Sequence, residues 1–149
     1  MATSFDTIED LFLISVRDYR IDALASNQTV LQQYLDGFLI KAVPNFTACL
    51  QDLSYDSVAR TFASTFTNLE NEILASLMEI EWFKSDVNDV TQINLHLMNR
   101  EFKLNSENEN LKQKSEYLDR AREKAHQLAT EYQLLNISSI PYYSTMNII

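Results

Sequence analysis

The residues able to do chemistry in this chain are few, and their spacing is unfavourable. His96 and His126 are the only histidines, and a zinc site built on them would need further Cys or carboxylate ligands converging on the same face. No Cys or carboxylate sits at a ligand-like spacing from both, so no metal site is expected. Cys49 is the single cysteine, so an internal disulfide is impossible. Its setting, Phe46-Thr47-Ala48-Cys49-Leu50, is that of a small buried side chain and not of a reactive thiol. Paired carboxylates could serve general acid–base catalysis if buried. Glu79 and Glu81 flank Ile80 on opposite sides of a helix, however, and Asp86 and Asp89 lie one turn apart among polar neighbours, which places all four on the surface. One glycine, Gly37, cannot build a phosphate-cradling loop or a dinucleotide fingerprint. Trp82 and the seven tyrosines could stack on bases or sugars, but a Trp beside Phe83 on an apolar helix reads as core. The expectation is a non-enzyme with no catalytic, cofactor-binding or metal residues.

Charge narrows the partners. The net charge is −9, and residues 1–99 carry all of the excess, with 5 Lys/Arg against 14 Asp/Glu. Residues 100–149 hold 7 of each. The basic residues Arg100, Lys103, Lys112, Lys114, Arg120, Arg122 and Lys124 alternate with acids at helical spacing, which describes a solvated helix face with ion pairs and not a phosphate-gripping patch. The start of the chain, Met1-Ala2-Thr3-Ser4-Phe5-Asp6, lacks the basic start and apolar run of a signal peptide, and no segment has the length to cross a bilayer. The chain is therefore expected to stay where it is made, and its three Asn-x-Ser/Thr matches, at Asn27, Asn45 and Asn136, to be chance.

The elements that must position these residues are mostly helices. A chain of 149 residues that is 46% apolar and 22% charged has the balance of one folded domain. With one Gly and two Pro, it has too few turn residues for an all-β sandwich. Thr7 and Asp10 have the spacing of a helix start, followed by Ile8, Leu11, Phe12, Ile14 and Val16. Arg17 to Ile21 reads equally as a last helical turn or an extended piece. Asn27 has the character of an N-cap for a helix whose face is Val30, Leu31, Tyr34, Leu35, Phe38, Leu39 and Ala42, ending before Pro44. Gly37 inside it suggests close helix contact. A short helix is expected over 45–52, a turn at 53–56, and a strand or extended linker between Val58 and Phe66.

Thr67-Asn68-Leu69-Glu70 is a capping box. The helix it opens carries Leu69, Ile73, Leu77 and Ile80 beside Leu74, Met78 and Trp82, an arc wide enough to be buried by the domain's own helices or by a second copy. The charged run Lys84-Ser85-Asp86 suggests a break or kink. Ser106-Glu107-Asn108-Glu109 is a second capping box and predicts the start of the longest helix. There Leu111, Leu118, Ala125 and Tyr132 alternate with Ala121, Leu128 and Leu135 in a seven-residue repeat, Lys114 being its one exception. Beyond it the chain ends in Ile137, Ile140, Pro141, Tyr142, Tyr143, Met146, Ile148 and Ile149, without a charged side chain. Such a segment either folds back onto its own domain or docks on a partner.

Three segments resemble the head-tail connector, or adaptor, proteins of tailed bacteriophages. They are Ile8-Glu9-Asp10-Leu11-Phe12-Leu13-Ile14-Ser15-Val16-Arg17-Asp18-Tyr19, then Tyr34-Leu35-Asp36-Gly37-Phe38-Leu39-Ile40, and Glu81-Trp82-Phe83-Lys84 through Gln92-Ile93-Asn94-Leu95-His96-Leu97. These are packing and surface residues, and together they span most of the chain in order. The resemblance implies a mostly α-helical structural virion protein that forms a homo-oligomeric ring of about twelve copies in the neck. Its partners would be the portal protein above and a head-closure or tail protein below, with DNA passing unspecifically through the channel.

On that reading residues 1–136 form a helical adaptor domain: a compact bundle with one long C-terminal helix and a short extended or β segment near 55–67. Residues 137–149 form an extended tail in which the eight residues just named dock on the portal. The acidic surface would suit a channel wall along which DNA slides. The alternative class is an acidic helical binding protein that imitates DNA or regulates a DNA-binding enzyme, although its carboxylates are scattered and not set in dense rows.

Overall fold

A computed structural model describes residues 2–97 and 104–137, with side chains described for 2–89 and 109–137. The chain is mostly helical: α1 (Phe5–Ser15), α2 (Tyr19–Leu24), α3 (Gln28–Ala42), a 3-10 turn (Val43–Asn45), β1 (Tyr55–Asp56), β2 (Thr61–Phe62), α4 (Asn68–Leu97) and α5 (Leu104–Leu135).

Helix α1 begins two residues before Thr7, because Ser4 is its cap and accepts a hydrogen bond from the Asp6 N–H at 3.3 Å. Phe5, Ile8 and Phe12 then recur at helical spacing and are completely buried, each contributing roughly 1.5–3 kcal/mol by leaving water. The ambiguous stretch after Ser15 is an extended link followed by a new helix. Asp18 caps α2, its Oδ1 accepting from Arg20 N–H at 2.7 Å. Asn27 caps α3 as its type suggests, and Leu35, Phe38, Leu39 and Ala42 face the core. Gly37 departs from expectation: it is exposed, and an added Cβ would meet nothing within 4 Å. It marks no close helix approach.

The helix expected over 45–52 is absent. After the 3-10 turn the backbone runs irregularly to β1, and the turn expected at 53–56 sits slightly earlier, where Asp52 Oδ1 accepts from Ser54 N–H at 2.9 Å. Strands β1 and β2 form an antiparallel hairpin with Tyr55 opposite Phe62 and Asp56 opposite Thr61. Asp56 Oδ1 closes the loop by accepting from the Val58 and Ala59 N–H groups at 2.8 and 3.1 Å. Arg60 takes the left-handed conformation, φ 53°. The amino terminus pairs alongside: Phe62 N–H donates to Thr3 O at 2.8 Å, Phe5 N–H to Arg60 O at 2.9 Å, and Thr3 N–H to Ser64 O at 3.0 Å. Phe5, Tyr55, Phe62 and Phe66 form an aromatic cluster there, with neighbouring ring centroids 4.8–6.0 Å apart.

The Thr67–Glu70 capping box opens α4: Thr67 N–H donates to Glu70 Oε2 at 2.7 Å and Glu70 N–H to Thr67 Oγ1 at 3.3 Å. Helix α4 runs unbroken through Lys84-Ser85-Asp86 to Leu97. No break follows because Asp86 points inward to cations. Helix α5 is already helical at Leu104, so Ser106 lies inside it and not at its cap.

The contacts Tyr132–Glu70, Lys124–Glu79 and Lys114–Asp86 pair the end of α5 with the start of α4 and its middle with the middle. The two long helices therefore form an antiparallel hairpin. Helices α1 and α3 pack on α4 as well; of its wide apolar arc Ile73, Leu74, Met78 and Trp82 are buried within the domain, while Leu69, Leu77 and Ile80 are half-buried. Leu118, Ala121, Ala125 and Tyr132 of the seven-residue stripe are buried against it.

Candidate interaction site

At its carboxyl end, α5 outruns the cover provided by the domain. The stripe that is buried from Leu118 to Tyr132 reaches water at Leu135, which is 68% exposed, and Leu134 and Ile137 beside it are 63% and 40% exposed. Three exposed apolar residues thus follow within four positions where the chain leaves the helix. Ile137 is the one residue of the expected docking tail that falls among the described residues; Ile140, Pro141, Tyr142, Tyr143, Met146, Ile148 and Ile149 lie outside them.

A groove adjoins this end. The irregular segment after the 3-10 turn lies across the α4–α5 pair and leaves a cavity of about 310 Å³. Its floor is Ile73, Leu77, Ala125 and Ala129, with Phe46 and Ala48 as one wall. Thr130 and Gln133 continue the rim along α5 toward Leu134. The loop is fixed to the helices by Tyr132. Its hydroxyl accepts from Leu50 N–H at 3.0 Å and donates to the buried Glu70 Oε1 at 2.8 Å, while its ring meets Phe46 edge-on at 5.5 Å. Burial, and then the Glu70 carboxylate, push the Tyr132 hydroxyl up to about 12, so it remains a donor. Cys49 next to it is half-buried, not fully buried as its apolar setting suggests; it packs against the core, and burial raises its thiol pKa.

Charged groups in the interior are committed to one another. Glu79 and Asp86, read from sequence as surface residues, are buried instead. Glu79 is met by Lys124 at 3.3 Å, and Asp86 by Lys114 at 2.8 Å and by the Arg20 guanidinium. Glu81 is half-buried and Asp89 exposed. Lys114, the exception in the repeat, occupies its stripe position because Asp86 lies opposite. Arg20 also sits over the Trp82 ring at 5.5 Å, and Trp82 is core, its Nε1–H donating to Tyr34 OH at 3.2 Å.

A second cluster, which sequence reasoning missed, surrounds Arg60. Its Nη2 donates to Glu9 Oε2 at 2.7 Å and to Asp36 Oδ1 at 3.0 Å, and its Nη1 to Asp6 Oδ1 at 2.5 Å. Glu9 is buried, and its Oε1 has no hydrogen-bond partner among the described residues. Burial first, and then a hydrogen bond with Asp36, push Glu9 up to about 8. An unpartnered oxygen is far less costly on a neutral carboxyl than on a carboxylate.

Among the described residues, no group of three or more His, Cys, Asp or Glu is arranged to hold a metal ion, and no helix is long and apolar enough to cross a membrane. His126 is exposed beside Thr130. Compared with known proteins, the chain matches no family model, no curated protein and no solved structure. The site is an apolar helix end with exposed Leu and Ile side chains, beside a small groove, on a scaffold held by internal ion pairs.

Proposed function

We propose that the chain is a structural subunit that works by assembling with other polypeptides, and specifically a ring-forming head-tail connector of a tailed-phage neck that joins the portal to the next neck or tail component. The observation that carries this reading is the exposed trio Leu134, Leu135 and Ile137, which runs directly into twelve residues, 138–149, without a charged side chain. Exposed apolar side chains also occur singly elsewhere, at Ile14, Tyr19 and Val58 among others, but here three fall within four residues and lead into an uncharged segment, a pattern that fits a covered interface. The segments that resemble connector proteins lie on α1 and its link to α2, on α3 and on α4, and α1 and α3 both pack on α4. Asp10, Asp22, Asp52, Asp56 and Asp89 are exposed, and a negative field of this kind would keep DNA from sticking to a channel wall.

The test is binding to an isolated portal ring by the full chain and by a chain in which Tyr142, Tyr143, Ile148 and Ile149 are replaced by Ser. The expected result is loss of portal binding with an unchanged helical spectrum; unchanged binding would overturn the docking role of the segment.

A further inference from the structure

A lone exposed valine is ordinary on a protein surface, but the setting of Val58 is not. It is 92% exposed, a β-branched residue at a hairpin tip, where Gly, Asn, Asp and Ser are the usual choices. Its loop is nevertheless fixed: Asp56 Oδ1 accepts from the Val58 and Ala59 N–H groups, and Arg60 ties the hairpin to Asp6 and Glu9 of α1 and to Asp36 of α3. The tip therefore presents an apolar side chain already ordered by its own subunit, which is the property of a docking anchor. It is negative as well. Asp56 is exposed, and the Ala59 and Val58 N–H groups hold its carboxyl below the ordinary carboxylate range. Both of those bonds use Oδ1, so Oδ2 can accept from a cation.

A groove with complementary lining lies at the other end of α1. It begins at Ser15, where the helix gives way to the extended link, and encloses about 390 Å³ between the apolar side chains Val16, Trp82, Phe83 and Tyr117. Its charged lining is Arg17, Asp18, Asp86 and Lys114. The two carboxylates are already satisfied, Asp18 by Arg20, and Asp86 by Lys114 and Arg20. Arg17 is exposed and has no carboxylate partner among the described residues. The groove thus keeps one uncompensated positive charge in a chain whose net charge is −9, and it suits an apolar side chain with a carboxylate beside it.

We propose that two copies of the chain pair head to tail, the hairpin tip of one entering this groove of the next, with Val58 against Val16, Phe83 and Tyr117 and Asp56 facing Arg17. The occupant cannot be the chain's own tip, because Val58 stands in water and its hairpin is fastened to the first turns of α1. The contact joins two different patches, so each copy in a pair keeps one of each free, and further copies add until a ring closes. This rests on the reading of the chain as a ring-forming subunit and supplies the contact between neighbours that such a ring needs.

The test uses two full-length proteins in which Cys49→Ser removes the native thiol, one bearing Ala59→Cys beside the tip and the other Ser15→Cys at the groove, both at exposed positions. They are mixed and treated with a short bismaleimide, alone and with an isolated portal ring. The expected product joins position 59 of one copy to position 15 of the other, and its yield falls about tenfold when Val58→Arg or Arg17→Glu is added. Products joining 59 to 59 or 15 to 15 in equal yield, no product under either condition, or a yield that neither added substitution changes would overturn the proposal. Portal binding is measured separately. If the chain binds the portal without the 59–15 product, the pairing is wrong and the connector role stands; if the product forms in a chain without affinity for the portal, the pairing stands and the connector role falls.

Discussion

Arg60 grips Asp36 as a fork, its Nε 3.1 Å from both carboxylate oxygens and its Nη2 3.0 Å from Oδ1. The same guanidinium reaches Asp6 and Glu9, so one residue of the hairpin ties α1 to α3. Arg60 holds a left-handed backbone conformation, which costs about 1 kcal/mol for a residue with a Cβ. The pairing offsets this. Arg60→Ala leaves the carboxylates facing each other without a cation and is expected to lower stability by about 3 kcal/mol. Urea unfolding measures it, and a loss below about 1 kcal/mol would show that the cluster is only a surface network.

Glu9 gives the fold a pH dependence whose sign follows from its raised pKa. Its ordinary value is 4.5 and its folded value about 8, so the folded state binds the proton more tightly than the unfolded chain does. The stabilisation from this group is complete below about pH 4.5, declines as pH rises, and is gone above about pH 8. Glu9→Gln, which keeps the shape of the neutral carboxyl, is expected to flatten the decline and to be the more stable protein at pH 9. Thermal unfolding at several pH values between 5 and 9 reads both effects; parallel curves for the two proteins would contradict the assignment.

Tyr132 fastens the groove wall. Tyr132→Phe keeps the ring against Phe46 but leaves Leu50 N–H and Glu70 Oε1 without their shared hydroxyl. The expected cost is about 1–3 kcal/mol, accompanied by faster amide exchange at Leu50. Unchanged exchange there would mean that the loop is held by other contacts.

Gly37 offers a gain. It sits on the exposed side of α3, where an added methyl meets nothing within 4 Å, and its backbone φ is not positive. Gly37→Ala is therefore expected to stabilise by up to about 1 kcal/mol, read as a higher urea midpoint. Destabilisation would reveal a contact that forms only in solution or between copies.

The helical class, the long final helix and the caps at Asn27 and Thr67 were legible in the sequence, because capping chemistry and apolar periodicity act over a few residues. The buried ion pairs were not, although they left a trace. Glu9 follows Phe5 by four residues on the buried face of α1, Asp86 follows Trp82 by four on α4, and Lys114 interrupts the α5 repeat. Each is an ionisable residue at a core position, and each partner lies on another element. Periodicity gives the position, but only tertiary packing gives the partner. The expected break at Lys84-Ser85-Asp86 failed for the same reason: a charge that is paired inside does not end a helix. The groove was invisible because it depends on residues 46–50 crossing the hairpin as irregular chain, where a short helix had been expected. Of the docking segment itself, sequence supplies the composition, and the structure adds that α5 arrives at it with Leu134, Leu135 and Ile137 uncovered.

The most direct test of the central claim, that this chain acts by covering its apolar end with other polypeptide, is the particle mass of the full protein in solution, alone and mixed with a portal ring. The expected result is a discrete closed oligomer or a portal-bound species whose mass is a whole multiple of 17.3 kDa above that of the portal. A 17.3 kDa monomer under both conditions, with no affinity for the portal, would contradict the account.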